Sequence, residues 1–323
     1  MNQKRKTSRL AKSTVLVTGG TGNIGSFIVD HVLQHHPQRL IVVDNLFNSD
    51  LGNLPHDNEL IVFLNLDIGN QEEVDYIFRT YQPEYVFHCA SMLIRDGEKL
   101  PRKAISTNIL GTYNIVDCCN QYAVKKICYS SSASVYGEPK YLPVDEQHPF
   151  QYDNFVYGWT KISAEMIFLS HCNTEWLGFR YYNVYSERLG LGTFYTQVFP
   201  TFYDGIKSGK GITIFGDGTQ TMDLIHAEDI ARANMLGIES DIQNEFLNVG
   251  TGIETTVLDL ANLMMAIMDT QTKVNFFPED SQKVKSRQSD TKKINRLLGF
   301  TPSIDVHSGV TRIIQALDKS VAQ

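Results

Sequence analysis

A chain of 323 residues, 42% hydrophobic and 20% charged, can bury one large α/β core or two smaller ones. Its formal net charge of −7 argues against nucleic acid or an anionic membrane as a partner, and no stretch approaches the roughly 18 apolar residues that span a bilayer. The basic arm Lys4-Arg5-Lys6, with Arg9 and Lys12, has no apolar run behind it, so residues 1–12 read as a flexible solvated arm rather than a secretory signal.

Thr14 to Thr18 form a β-branched run that stops at the glycine cluster Gly19-Gly20-Thr21-Gly22-Asn23-Ile24-Gly25. An amphipathic pattern over 23–35 follows. This is a buried parallel strand passing into a helix through a glycine-rich loop. Gly19 permits the tight turn, Gly22 lets the backbone approach a pyrophosphate, and Gly25 lets the helix pack close to the strand. The second strand, 39–43, runs into Asp44, 19 residues beyond Gly25 and near the offset of about 20 at which a carboxylate meets a ribose. Asn45 to Asp50 contain no Arg or Lys to neutralise a 2′-phosphate, which favours NAD over NADP. The plainer alternative is that Asp44 only caps a turn.

Strands at 60–65, 84–88, 125–130 and 176–181 then alternate with helices near 70–81, 101–121 and 158–171. That rhythm predicts an α/β fold, a Rossmann-type doubly wound parallel sheet. Beyond 182 the rhythm changes. Helices near 195–208, 227–239 and 255–268 and strands at 212–215 and 245–249 suggest a smaller, partly interleaved C-terminal α/β substrate domain. The expected division is 13–182 as the NAD-binding domain, with 226–250 returning to it. Residues 183–225 and 251–323 are left to bind substrate.

Two segments carry chemistry. Tyr129-Ser130-Ser131-Ser132-Ala133-Ser134-Val135-Tyr136-Gly137 follows the fifth strand, where ligands of open α/β sheets sit. In Tyr157-Gly158-Trp159-Thr160-Lys161 the phenol and the ammonium are four residues apart, on one helical face. A neighbouring cation favours the phenolate, so Tyr157 can act as a general base near neutral pH. The serine hydroxyl opposite can hold the reacting oxygen. Cys89, Cys118, Cys119, Cys128 and Cys172 form no CxxC pair and read as reduced core thiols of a cytoplasmic protein. The histidines show no metal-ligand spacing, and no metal is expected.

With these motifs the chain resembles the extended short-chain dehydrogenase/reductase family, specifically its nucleotide-sugar epimerases and dehydratases, from Ser13 to Thr311. Asp67-Ile68, His88-Cys89-Ala90-Ser91, Asn108 in Thr107–Thr112, Arg180–Tyr185, Gly216–Thr221 and Asn248–Gly252 also fit. The resemblance implies Ser132, Tyr157 and Lys161 as the catalytic triad and NAD as cofactor. Gly19, Gly22, Asn23, Ile24, Gly25, Asp44, Asn45, Asp67, Ile68, Ala90, Asn108, Tyr157 and Lys161 would hold the NAD. Ser134, Asn183, Arg188, Phe215 and Arg287 would face a nucleotide-diphosphate sugar. Dehydratases of the family carry Asp-Glu where Ala133-Ser134 stand, and decarboxylases carry Glu at Ser134. The small neutral pair resembles that of 4-epimerases, which implies inversion at C4 of a UDP-hexose or UDP-hexuronate through a 4-keto sugar. The alternatives are a decarboxylase, a dehydratase, an epimerase at another carbon, and a non-catalytic NAD or sugar-nucleotide binder. Met222 replaces an arginine that clamps the diphosphate in the family, with Arg188 and Arg287 as candidate substitutes. Ser186 stands for a Gly and Ser91 for an Ala. The resemblance also implies a homodimer through helices 101–121 and 158–171. Ile105, Ile109, Ile115 and Val116 on one, and Ile162, Met166, Ile167 and Leu169 on the other, supply more apolar surface than the sheet can cover.

Overall fold

The computed structural model describes residues 8–55, 57–151, 155–188, 198–278 and 285–321. The chain begins with β1 (Thr14–Thr18), α1 (Gly25–Gln34), β2 (Arg39–Val43), β3 (Ile61–Leu64), α2 (Gln71–Tyr81) and β4 (Tyr85–His88). Next come α3 (Ile94–Lys99), α4 (Pro101–Ile105), a π-type turn at Ser106–Leu110, α5 (Gly111–Gln121), β5 (Lys126–Ser132), α6 (Val156–His171) and β6 (Glu175–Tyr181). The remainder comprises β7 (Asn183–Tyr185), α7 (Val198–Lys207), β8 (Ile212–Phe215), β9 (Thr221–Met222), β10 (Leu224–His226), α8 (Ala227–Glu239) and β11 (Glu245–Val249). It closes with β12 (Thr255–Thr256), α9 (Val257–Ile267), β13 (Val274–Phe277), α10 (Lys292–Leu298) and α11 (Val306–Val321).

Seven strands form one sheet in the order β11-β6-β5-β4-β1-β2-β3, and every pairing in it is parallel. The register follows from unbroken apolar runs. Val15, Leu16 and Val17 lie opposite Leu40, Ile41 and Val42, and all six are fully buried. Such runs suit a parallel sheet covered on both faces. Val15, Val17, Leu40 and Val42 pack on one side with Phe27, Ile28 and Ile230 of α1 and α8. Leu16 and Ile41 pack on the other with Ile77, Ile115 and Phe168 of α2, α5 and α6. Strand order reverses between β1 and β4, which opens a crevice at the carboxyl ends of the strands.

A third core gathers Phe199 and Phe202 of α7, Ile212 and Ile214 of β8, Met264 of α9, and Ile313 of α11. Around it lie short pairs: β7 with β10 and β8 with β13, both parallel, and β9 with β12, antiparallel. The helix expected over 195–208 is described from Val198 to Lys207, and its expected start lies outside the described residues. The single helix expected over 101–121 is one run with a π-type turn inside it. Alternation alone does not announce α3, α10, α11 or the short strands. No helix among the described residues is long and apolar enough to cross a membrane.

Candidate active site

The crevice is a cavity lined by the glycine loop, the end of β2, the segment after β4, the serine loop, Tyr157 and the β6–β7 junction. Gly19 has φ +67°, and a Cβ there would meet the Ala90 amide nitrogen at 2.7 Å. A Cβ on Gly25 would strike the Gly19 carbonyl oxygen. These positions require glycine because the strand end, the loop and α1 pack without space between them. No side chain caps α1; Ser26 N in its first turn donates to the Gly22 carbonyl at 3.1 Å, and the positive end of the helix at the glycine loop suits an anion such as a pyrophosphate. The Asn23 amide oxygen accepts a hydrogen bond from Ser186 Oγ, which ties the glycine loop to the segment after β7.

At the β2 end, Thr21 N (3.2 Å), Leu46 N (2.9 Å) and Ser49 Oγ (2.8 Å) hold the Asp44 carboxylate. Asn45 and Ile68 line the cavity. Asp67 acts from behind, accepting from Asn45 Nδ2 at 3.1 Å and from Gly69 N at 2.9 Å. Lys103 lines the same end, its ammonium 4.2 Å from the Phe47 ring centroid. Neither Lys103 nor Phe47 is evident from local sequence. They meet only because α4 folds over the loop after β2.

At the other end, β5 delivers Ser132 and α6 delivers Tyr157 and Lys161. Ser132 Oγ accepts from Ser134 N at 3.1 Å and lies 3.2 Å from Ser134 Oγ, so the two hydroxyls form one polar edge. Lys161 Nζ donates to the Ser130 carbonyl at 2.8 Å and lies 5.7 Å from the Tyr157 ring centroid. Burial pulls the Lys161 pKa down to about 8, which leaves a cation close to its titration point beside the phenol. One turn on, Glu165 is fully buried and takes Arg180 Nε and Nη2 at 3.0 and 2.7 Å. That pair braces α6 against β6.

Asn108 does not line the cavity. Its Oδ1 accepts from Met92 N at 2.7 Å, and its Nδ2 donates to Met92 O and Thr160 Oγ1, each at 3.0 Å. It pins the segment after β4 to α6 and leaves little capacity for a cofactor. His88 is buried between Thr18 Oγ1 (2.8 Å) and Thr112 Oγ1 (3.0 Å), and burial lowers its pKa to about 3. It is a neutral packing residue.

Among the substrate candidates, Ser134, Asn183 and Arg287 line the cavity, and Arg188 and Phe215 do not. Arg188 pairs with Asp30 at 2.5 Å and lies over the Phe27 ring. Phe215 is half exposed against Phe277. Tyr182 was not singled out from sequence, yet it lines the cavity between β6 and β7.

A glycine cradle at the switch point, a carboxylate at the end of β2 and a Ser–Tyr–Lys set at the end of β5 define an NAD-dependent short-chain dehydrogenase-type site. The chain belongs to the NAD dependent epimerase/dehydratase family, which it matches over residues 15–250, and NAD is its cofactor. It is 34% identical over 306 residues to a putative UDP-glucose 4-epimerase of Methanocaldococcus jannaschii, covering 93% of this chain and 97% of that protein. The solved UDP-glucose 4-epimerase of Thermotoga maritima, crystallised with UDP-glucose, superposes with a TM-score of 0.87 at 31% identity. That match covers 95% of this chain and 99% of that one. The Thermus thermophilus UDP-glucose 4-epimerase, in complex with NAD, superposes at 0.84 with 25% identity, over 94% of this chain and 99% of that one.

Proposed function

We propose that this protein inverts C4 of a UDP-hexose or UDP-hexuronate. The observation that carries this reading is the absence of acid at the reactive end. Among the described residues that line the cavity, Asp44 is the only carboxylate, and it lies at the β2 end. Ala133 and Ser134, beside Ser132, have no acidic proton to give a leaving hydroxyl, so the site is built for oxidation and re-reduction of one carbon.

When bound, NAD would supply reversible hydride acceptance. Tyr157, with Lys161 favouring its phenolate, takes the proton from the C4 hydroxyl and later returns one. Ser132 holds the reacting oxygen. The 4-keto sugar turns within the cavity and is reduced on its other face. Gly19, Gly22, Asn23, Ile24 and Gly25 would hold the pyrophosphate of NAD, Asp44 and Asn45 its adenosine ribose, Ile68 its adenine, and Ala90 the segment between. Asp67 and Asn108 position these groups. Arg287 and Asn183 face the nucleotide-sugar diphosphate, and the Asp30 pair keeps Arg188 out of that role.

Residues 13–182 with 226–250 form the cofactor half, and 183–225 with 251–323 the substrate half, in a cytoplasmic homodimer. Support for the dimer is an apolar face that the sheet does not cover. Leu110 and Leu169 are 52% and 58% exposed, and Ile105, Tyr113 and Met166 are exposed beside them. Incubation with UDP-glucose, UDP-glucuronate, UDP-N-acetylglucosamine and GDP-mannose, read by product NMR, tests the reaction. A C4 epimer of a UDP-sugar is expected. A decarboxylated or dehydrated product, or none, overturns the reading.

A further inference from the structure

Glycine is the least restrained of residues, so a loop built on Gly19, Gly22 and Gly25 gives up much backbone freedom when it is set in one conformation. Gly22 N donates to the Gly19 carbonyl at 3.2 Å, and Ser26 N to the Gly22 carbonyl at 3.1 Å. Between them, Asn23 N and Ile24 N donate to no acceptor among the described residues. Both residues line the cavity, at the positive end of α1. Where those two N–H groups point depends on what holds Asn23.

Ser186 holds it. Ser186 is fully buried, and its Oγ accepts from Arg188 N at 3.0 Å, which leaves its own proton for Asn23 Oδ1. The neighbours of Ser186 fix it in turn. Glu187 Oε2 accepts at 3.0 Å from Nε2 of the buried His226, whose Nδ1 accepts from Glu228 N at 3.2 Å and caps α8. Arg188 Nη2 pairs with Asp30 at 2.5 Å, and its guanidinium lies 4.2 Å from the Phe27 ring centroid. Three consecutive residues after β7 are thus anchored to three places: the glycine loop, the start of α8 and α1.

An anchor of this kind matters most on a flexible loop. A bond from a fixed segment to Asn23 removes, before NAD arrives, part of the freedom that the loop must lose on binding. Such pre-organisation strengthens binding without any contact between Ser186 and the cofactor. A glycine, the residue that Ser186 stands for, has no group to make this bond.

We propose that Ser186 is a positioning residue for NAD: through Asn23 it sets the glycine loop for the pyrophosphate. This rests on NAD as the cofactor and holds whichever sugar the protein acts on. The test follows exchange of bound NAD for isotopically labelled NAD in the purified holoprotein, by mass spectrometry of the extracted cofactor. Ser186→Ala should exchange about two- to tenfold faster than wild type, the effect of one neutral hydrogen bond, with unchanged circular dichroism. Glu187→Ala frees the same segment from His226 but spares the bond to Asn23, so it should exchange at the wild-type rate. Asn23→Ala and the double variant Asn23→Ala/Ser186→Ala should exchange equally fast, because the hydroxyl acts only through Asn23. A wild-type rate in Ser186→Ala overturns the proposal, as does an equal acceleration by Glu187→Ala or an additive effect in the double variant. Should Ser186→Ala not fold, Asn23→Ala alone decides: faster exchange supports the proposal and a wild-type rate overturns it.

Discussion

Tyr157 shows how a single residue takes its function from its neighbours. A phenol on a helix is an ordinary side chain with a pKa near 10. Here it lines the cavity, with the Lys161 ammonium held by the Ser130 carbonyl just behind it. Replacing Tyr157 by Phe should leave folding and NAD content intact and lower turnover by about 10²–10⁴-fold, the usual contribution of an acid–base group. Activity within threefold of wild type would remove Tyr157 from the mechanism. The two arginines make a second residue-scale contrast. Each has one buried nitrogen without a partner among the described residues, but Arg287 lines the cavity, whereas Arg188 lies outside it and is paired with Asp30. Arg287→Met should cost about 1.5–3 kcal/mol of nucleotide-sugar binding, and Arg188→Met should cost little. Equal losses by calorimetry would contradict that assignment.

At the scale of elements, two buried contacts hold the strand ends where the chemistry needs them. Glu165 on α6 and Arg180 on β6 form a two-pronged ion pair out of water. Breaking such a pair leaves one buried charge uncompensated and costs about 3–5 kcal/mol. Glu165→Gln should therefore lower the urea midpoint substantially, and a loss under about 1 kcal/mol would show that the pair is dispensable. His88 joins β4 to β1 and α5 through Thr18 and Thr112. Its folded pKa of about 3 lies below the usual imidazole value of 6.5, so the unfolded chain binds this proton first as pH falls. Its stabilising effect is complete above pH 6.5 and is lost toward pH 3, at up to about 1.4 kcal/mol per pH unit. His88→Asn should flatten the acid limb of stability between those values. An unchanged slope in chemical denaturation across that window would count against His88 as the source.

At the scale of the molecule, α5 and α6 pack on the sheet and on each other yet leave an apolar face open. Ile115 and Val116 are fully buried beneath it, so only part of the apolar surface expected to face a partner is available. Ile105, Leu110, Tyr113, Met166 and Leu169 remain exposed, and Tyr113 stacks on His171 at the edge. A second copy turning the same face inward would bury them. Light scattering at micromolar concentration should give twice the chain mass, and Leu169→Glu should shift the population toward the monomer. A strictly monomeric wild type would overturn this.

The sheet and the nearness of Lys161 to Tyr157 were legible in the chain because their determinants are local. Apolar runs such as Leu40–Val43, glycines at Gly19, Gly22 and Gly25, and the four-residue interval from Tyr157 to Lys161 act through backbone geometry over a few residues. The rest depended on contacts between distant segments, which spacing does not encode. The π-type turn keeps 101–121 as one run, so its apolar periodicity looked like that of a plain helix. Asn108 and Asp67 carry polar groups that suit cofactor contacts, but tertiary packing spends them on Met92, Thr160, Asn45 and Gly69. Lys103 reaches the cavity because α4 crosses Phe47. Arg188 and Arg287 were equivalent as cations. What separates them is whether a carboxylate lies within reach, and only the folded chain brings Asp30 to one and leaves the other facing the cavity beside Tyr182.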